Sequence, residues 1–140
     1  MTHQQDPSRP NAVAGRWVRA LTAHDLDAVV ACFAPEYEDE APARRGEVFH
    51  GNQKVRENMA ALFQNITDVR ADLLGCVVDG DTAWIEWRMH GTRRDGTPME
   101  FVGVNIFGVR DDQFVWGRIY TELVRDAGGI DAQIERMTAG

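Results

Sequence analysis

The sequence predicts an α+β layered domain in which helices come first and a long antiparallel sheet follows. Three observations predict it. Apolar residues in the first half recur at helical spacing, whereas from Val69 onward the period changes to two. The turn signals Asp79-Gly80 and Asp95-Gly96, with a weaker one at Asp111-Asp112, cut the second half into pieces of strand length. Finally, Phe101 and Phe107 lie on one face of the third long strand while Val102, Val104 and Ile106 lie on the other. A strand with water on one side alternates apolar and polar residues, so both faces of this one are covered.

Val13, Trp17 and Leu21 recur at helical spacing behind Asn11, which reads as the cap of a first helix. Asp25 caps a short second helix whose apolar side is Leu26, Val29, Val30 and Phe33, and Pro35 stops it. Residues 37–41 read as a short extended piece despite their acids, followed by a loop through Arg44, Arg45 and Gly46. Asn52 reads as the cap of a third helix with the buried stripe Val55, Met59, Leu62, Phe63 and Ile66. Four strands follow, at about 69–78, 82–93, 99–109 and 114–124, joined by tight turns into a meander. The expected division is an extended or disordered N-terminus over 1–11, one domain over 12–125, and a mobile or helical tail over 126–140.

With 140 residues the chain is one domain, long enough for a core that needs no disulfide or metal to hold it. A formal charge of −7 argues against nucleic acid or an anionic membrane as main partner. Cys32 and Cys76 have neither metal spacing nor a CxxC pattern, and read as reduced, small apolar residues. His3, His24, His50 and His90 share no ligand spacing, so no metal site and no cofactor are expected. No apolar run reaches membrane-spanning length and the first residues carry no signal-sequence core, which makes the cytoplasm the expected location.

The stretch from Trp84 to His90 is the most informative. One face carries Ile85, Trp87 and Met89; the other carries Trp84, Glu86, Arg88 and His90. Indoles on both faces suggest two covered sides, which puts Glu86 and Arg88 in a partly buried place where charges are costly unless paired. There are helices enough for one face of the sheet. A second subunit is expected on the other, giving a homodimer, with packing by the C-terminal tail as the rival.

The order and spacing of several short segments resemble the SnoaL-like branch of the nuclear transport factor two-like superfamily. These are Ala23-His24-Asp25-Leu26-Asp27 leading to Cys32-Phe33-Ala34-Pro35, and Phe49-His50-Gly51. Gly91-Thr92 follows the Glu86-Trp87-Arg88 strand, and Arg118-Ile119-Tyr120-Thr121-Glu122-Leu123 ends the match. The resemblance implies a cone-shaped roll, a curved, mostly antiparallel sheet wrapped around the N-terminal helices, with one internal pocket. Its members include polyketide cyclases, limonene-type epoxide hydrolases, ketosteroid isomerases and proteins that only bind or dimerise.

Carried over position by position, the resemblance implies a pocket-facing carboxylate at Glu122, where cyclases and epoxide hydrolases have an aspartate. It matches the hydrolase Arg-x-Asp with Glu86-x-Arg88, the charges reversed. Strand parity then groups Glu86 with Arg88, and Arg118 with Tyr120 and Glu122. Glu122 is the expected acid or base, Arg88 the charge stabiliser and Glu86 its orienting partner. Trp84, His90, Phe101, Asn105, Phe107, Arg118, Tyr120 and Phe63 are expected to line the substrate. The isomerase base falls on Ala41, with Glu40 beside it facing the opposite way.

Simpler readings stand beside these. Glu86 and Arg88 also fit a structural pair or a solvated face, Glu122 a strand-end acid in water, and Trp84 and Trp116 plain core. Glu36, Glu38, Asp39 and Glu40 read as a solvated edge that discourages strand pairing. The expected function is small-molecule binding, with cofactor-free acid–base chemistry of the cyclase or isomerase type on an apolar or ring metabolite. The alternatives are a non-catalytic binding or dimerisation module and an epoxide-hydrolase-like enzyme.

Overall fold

The computed structural model describes residues 9–125 and 128–139; the expected extended N-terminus lies outside them over 1–8, and its last two residues are helical instead. Helix α1 (Pro10–Thr22) begins one residue before Asn11 because Pro10 takes the first helical position, where its missing N–H costs nothing. It buries Val13, Ala14, Trp17, Val18 and Leu21. In the short α2 (Leu26–Ala31) Asp25 caps as expected, its Oδ1 accepting from the Ala28 N–H at 3.1 Å. The chain turns directly into β1 (Phe33–Glu40), so Pro35 lies inside a strand, at an irregularity where pairing with the neighbouring strand shifts register.

A three-residue strand β2 (Val48–His50) then pairs antiparallel with the end of β1. Helix α3 (Asn52–Asn65) is capped by Gly51 at φ 91°. Asn52 instead spends its side chain on the Phe33 carbonyl, tying the helix start to β1. The meander β3 (Arg70–Asp79), β4 (Thr82–Thr92), β5 (Pro98–Arg110) and β6 (Gln113–Leu123) follows the expected boundaries closely. Asp111 and Asp112 both take positive φ, as the tight β5–β6 turn demands. A last helix, α4 (Gly129–Thr138), occupies part of the expected tail and buries none of its residues.

The sheet order is β2-β1-β6-β5-β4-β3, antiparallel except for the parallel β1–β6 pair. This six-stranded sheet is curved and unclosed, and α1 and α3 pack on its inner side. The indole of Trp17 is the centre of the core, with the rings of Trp87 at 4.5 Å, Phe107 at 5.5 Å and Phe114 at 6.0 Å. Which face of β4 meets the helices follows from transfer energies. Ile85, Trp87 and Met89 each gain about 1.5–3 kcal/mol on burial, while Glu86 and Arg88 would lose hydration there. The apolar trio is accordingly buried, and the charged residues turn outward. No helix among the described residues is long and apolar enough to cross a membrane.

Candidate functional site

A cavity of about 490 Å³ lies between the inner face of the sheet and helices α1 and α3. Rings form much of its wall, among them Trp17, Phe33, Tyr37, Trp87, Phe101 and Phe107. Each arrives by strand parity or helix spacing from the same pattern that builds the core, so the cavity is the part of the core that side chains leave unfilled. Its size falls within the range of small-molecule sites.

Asp39 is the carboxylate that β1 sends into this cavity. Tyr37, Asp39 and Ala41 alternate inward, while Glu36, Glu38 and Glu40 are exposed. The reading of all four acids as a solvated edge is therefore corrected for Asp39: β1 is an interior strand, paired to β2 on one side and β6 on the other. Burial raises the Asp39 carboxyl above its ordinary value, and the Tyr37 hydroxyl, donating to Oδ1 at 2.7 Å, opposes that shift. Glu47, from the loop before β2, adds a further upward push. A carboxyl among rings with a raised affinity for protons is equipped to take and return one.

A second polar group lines the cavity from β4, β5 and β6. The Trp87 indole N–H donates to the Thr121 hydroxyl at 2.7 Å, and Asn105 is buried beside them. Turned so that both ends of its amide find partners, Asn105 donates to Thr121 Oγ1 at 2.7 Å and to the Val104 carbonyl at 3.1 Å, and accepts from Trp87 at 3.2 Å. The opposite rotamer would set its NH₂ against the indole N–H. Thr121 then accepts twice and keeps its own proton to give. The Trp17 indole N–H is also buried and has no hydrogen-bond partner among the described residues. An orphan donor of that kind costs about 1–3 kcal/mol until an acceptor reaches it.

Of the residues expected at the site, the structure brings Phe101, Asn105 and Phe107 to the cavity. Trp84, Glu86, Arg88 and His90 on β4, and Arg118, Tyr120 and Glu122 on β6, share the opposite face of the sheet. Arg88 bonds Glu100 at 2.9 Å and lies 3.8 Å from Asp72, which also stands 3.7 Å from His90. Glu86 is exposed and is not the partner of Arg88. Glu122 reaches the cavity mouth only through Arg44, whose guanidinium it accepts from at 3.0 Å. Phe63 stacks on His24 at 5.1 Å, away from the lining. Trp84, read as plain core in one account, is half exposed; Trp116 covers Gly108 on the outer face, where an added Cβ would lie 1.9 Å from its Nε1.

Tyr37, Asp39, Thr121, Trp17 and Trp87 were not singled out for the site by the sequence. The signal for Asp39 was present, because Tyr37-x-Asp39-x-Ala41 places it on the face of an aromatic residue. Neither cysteine is poised as a nucleophile: burial pushes the Cys32 thiol up to about 11 and raises that of Cys76.

A sheet curved over helices with an apolar cavity between them defines a pocketed domain of the nuclear transport factor two-like kind. The SnoaL-like domain profile matches residues 14–116, and the chain belongs to that family. No curated protein sequence matches the chain. Among solved structures, a Mycobacterium tuberculosis protein in complex with estradiol-17β-hemisuccinate superposes with a TM-score of 0.71 at 15% identity, covering 86% of this chain and 100% of that one. A hypothetical protein from Catenulispora acidiphila with a ketosteroid-isomerase-like fold, in complex with trimethylamine, gives 0.68 at 18% identity, covering 80% and 85%. A candidate polyketide cyclase from Sinorhizobium meliloti gives 0.61 at 22%, covering 85% and 100%. At these identities the likeness shows the fold.

Proposed function

We propose that this protein binds an apolar or ring-bearing metabolite in the cavity and acts on it as a cofactor-independent acid–base enzyme of the isomerase or cyclase kind. The observation that carries the reading is Asp39: one half-buried carboxylate with raised proton affinity, in a cavity walled by rings and lined on another side by hydrogen-bond donors. In this scheme the Asp39 carboxylate takes a proton from the carbon next to a substrate carbonyl. The electron pair of the C–H bond moves into the carbonyl, and the enolate oxygen accepts from the Thr121 hydroxyl, with the Trp17 N–H as a second donor. Protonated Asp39 then returns the proton to another carbon, or the enolate carbon attacks a second carbonyl, closing a ring, and Asp39 gives its proton to the alkoxide that forms. The estradiol ester in the Mycobacterium tuberculosis relative and the cyclase assignment of the Sinorhizobium meliloti one support a ring-bearing ligand.

The acid–base role thus moves from Glu122 to Asp39, and Arg88 and Glu86 take no part. A partner subunit belongs to the same reading: Val77, Trp84, Val102 and Tyr120 leave apolar surface exposed on the outer face, which a second copy would cover. Cytoplasmic residence agrees with two free thiols. The test is a panel of cyclic ketones and 1,3-diketones incubated with the protein in D₂O, with deuterium uptake at carbon read by mass spectrometry. Catalysed uptake is the expected result. Saturable binding of the same compounds without uptake would favour a non-catalytic binding module.

A further inference from the structure

Resting on the assignment of Asp39, we infer that Tyr37 and Gly117 form a positioning device that fixes the Asp39 carboxylate and keeps it ready to ionise. Tyr37 and Asp39 are two residues apart on β1 and face the same way, which lets the phenol hydroxyl reach Oδ1 at 2.7 Å. The phenol cannot swing out. Tyr37 is 1% exposed, and its ring is held edge-on by Phe33 at 4.8 Å and contacted at a tilt by Phe49 at 6.1 Å.

Gly117 is what makes room for the hydroxyl. It pairs with Asp39 across β1 and β6, and a Cβ built on it would lie 2.3 Å from the Tyr37 oxygen and 2.8 Å from Phe107. Its backbone needs no unusual torsion, so the side chain is missing for space, not for conformation. The consequence for Asp39 is specific. Oδ1 is engaged, whereas Oδ2 has no hydrogen-bond donor among the described residues and is the oxygen left for a substrate proton.

The other ionisable groups of the lining are Arg44 and Glu47, both from the loop between β1 and β2. Helices α1 and α3 and strands β2, β4, β5 and β6 line the cavity with Trp17, Val55, Asn58, Met59, Phe49 and uncharged strand residues. Tyr37 is thus the donor that favours the charged form of Asp39 against burial and against Glu47.

The experiment is a ¹³C-carboxyl NMR titration of Asp39, which needs no substrate. Tyr37→Phe removes the donor and Gly117→Ala displaces it, so both should shift the Asp39 midpoint upward, whereas Glu47→Gln should shift it downward. Where Tyr37→Phe does not fold, biosynthetic 3-fluorotyrosine supplies a stronger donor of nearly the same shape. Tyr37 is the one of the chain's two tyrosines that lines the cavity, and the Asp39 midpoint should then fall. An unchanged midpoint in Tyr37→Phe or in the fluorinated protein, or a fall in Tyr37→Phe, would overturn the inference. Midpoints that move as stated in a protein without turnover would leave the device standing and remove the enzymatic reading instead.

Discussion

The Trp87 indole donates to the Thr121 hydroxyl at 2.7 Å, joining β4 to β6 across the Asn105 of the strand between them. Three strands are thereby tied through side chains on the inner face, beside the cavity. Such a network is strong when every member is satisfied and costly when one is removed.

Thr121→Val keeps the shape and removes the acceptor, leaving one Asn105 amide hydrogen unpaired and the Trp87 N–H with only its longer bond to Asn105. We expect a loss of about 1–3 kcal/mol in unfolding free energy, measured by chemical denaturation. A variant as stable as the parent would show that the network does not hold the strands.

Asp39 makes a prediction of opposite sign. Its folded-state carboxyl is raised above the ordinary 3.8, so between the two values the folded protein holds a proton that the unfolded chain has released. Stability contributed by this group therefore falls as pH rises through that window, and the cost of the buried charge persists at neutral pH. Asp39→Asn should melt higher than the parent at neutral pH, with the gain shrinking as the pH approaches 3.8. Thermal melts of both proteins across that range test it; a variant less stable at neutral pH would contradict it.

Gly103 pairs with Thr121 where β5 leaves no room for a side chain against β6. At φ +154° a Cβ there would lie 2.4 Å from the Tyr120 carbonyl oxygen and 2.6 Å from the Thr121 Cα, both backbone atoms that cannot step aside. Gly103→Ala is expected to cost about 3 kcal/mol and to disturb Thr121 with it. Denaturant midpoints check the first effect, and an alanine variant of parental stability would refute the close approach.

The outer face carries its own test. Trp84 is 49% exposed and stands between Val77 and Ile106 in the strand register. Light scattering at micromolar concentration should report a dimer, and Trp84→Asp a folded monomer. A parent protein that is already monomeric would end the two-subunit reading.

The helices and the meander were legible because local chemistry dictates them. Asp-Gly turns, period-two strands and the Asp25 cap each act within a few residues. Short β2 was not legible, since Val48–His50 is a strand only because β1 lies beside it. The face of β4 was misjudged for a different reason. Ile85, Trp87 and Met89 are the stronger apolar set, yet the indoles of Trp84 and Trp87 on opposite faces, and then the resemblance, drew the pocket toward Glu86 and Arg88. Asp39 was hidden among Glu36, Glu38 and Glu40, where a run of acids reads as solvent-facing. Its spacing from Tyr37 puts it on that residue's face, and the sheet order, with β1 between β2 and β6, makes β1 an interior strand rather than a solvated edge.

In the proposed function, chemistry belongs to the inner face of the sheet and to Asp39. The direct measurement is Asp39→Asn beside Glu122→Gln in the deuterium-uptake assay, with both variants confirmed folded. Asp39→Asn should abolish catalysed uptake while Glu122→Gln retains most of it. Full activity in Asp39→Asn, or loss confined to Glu122→Gln, would contradict it.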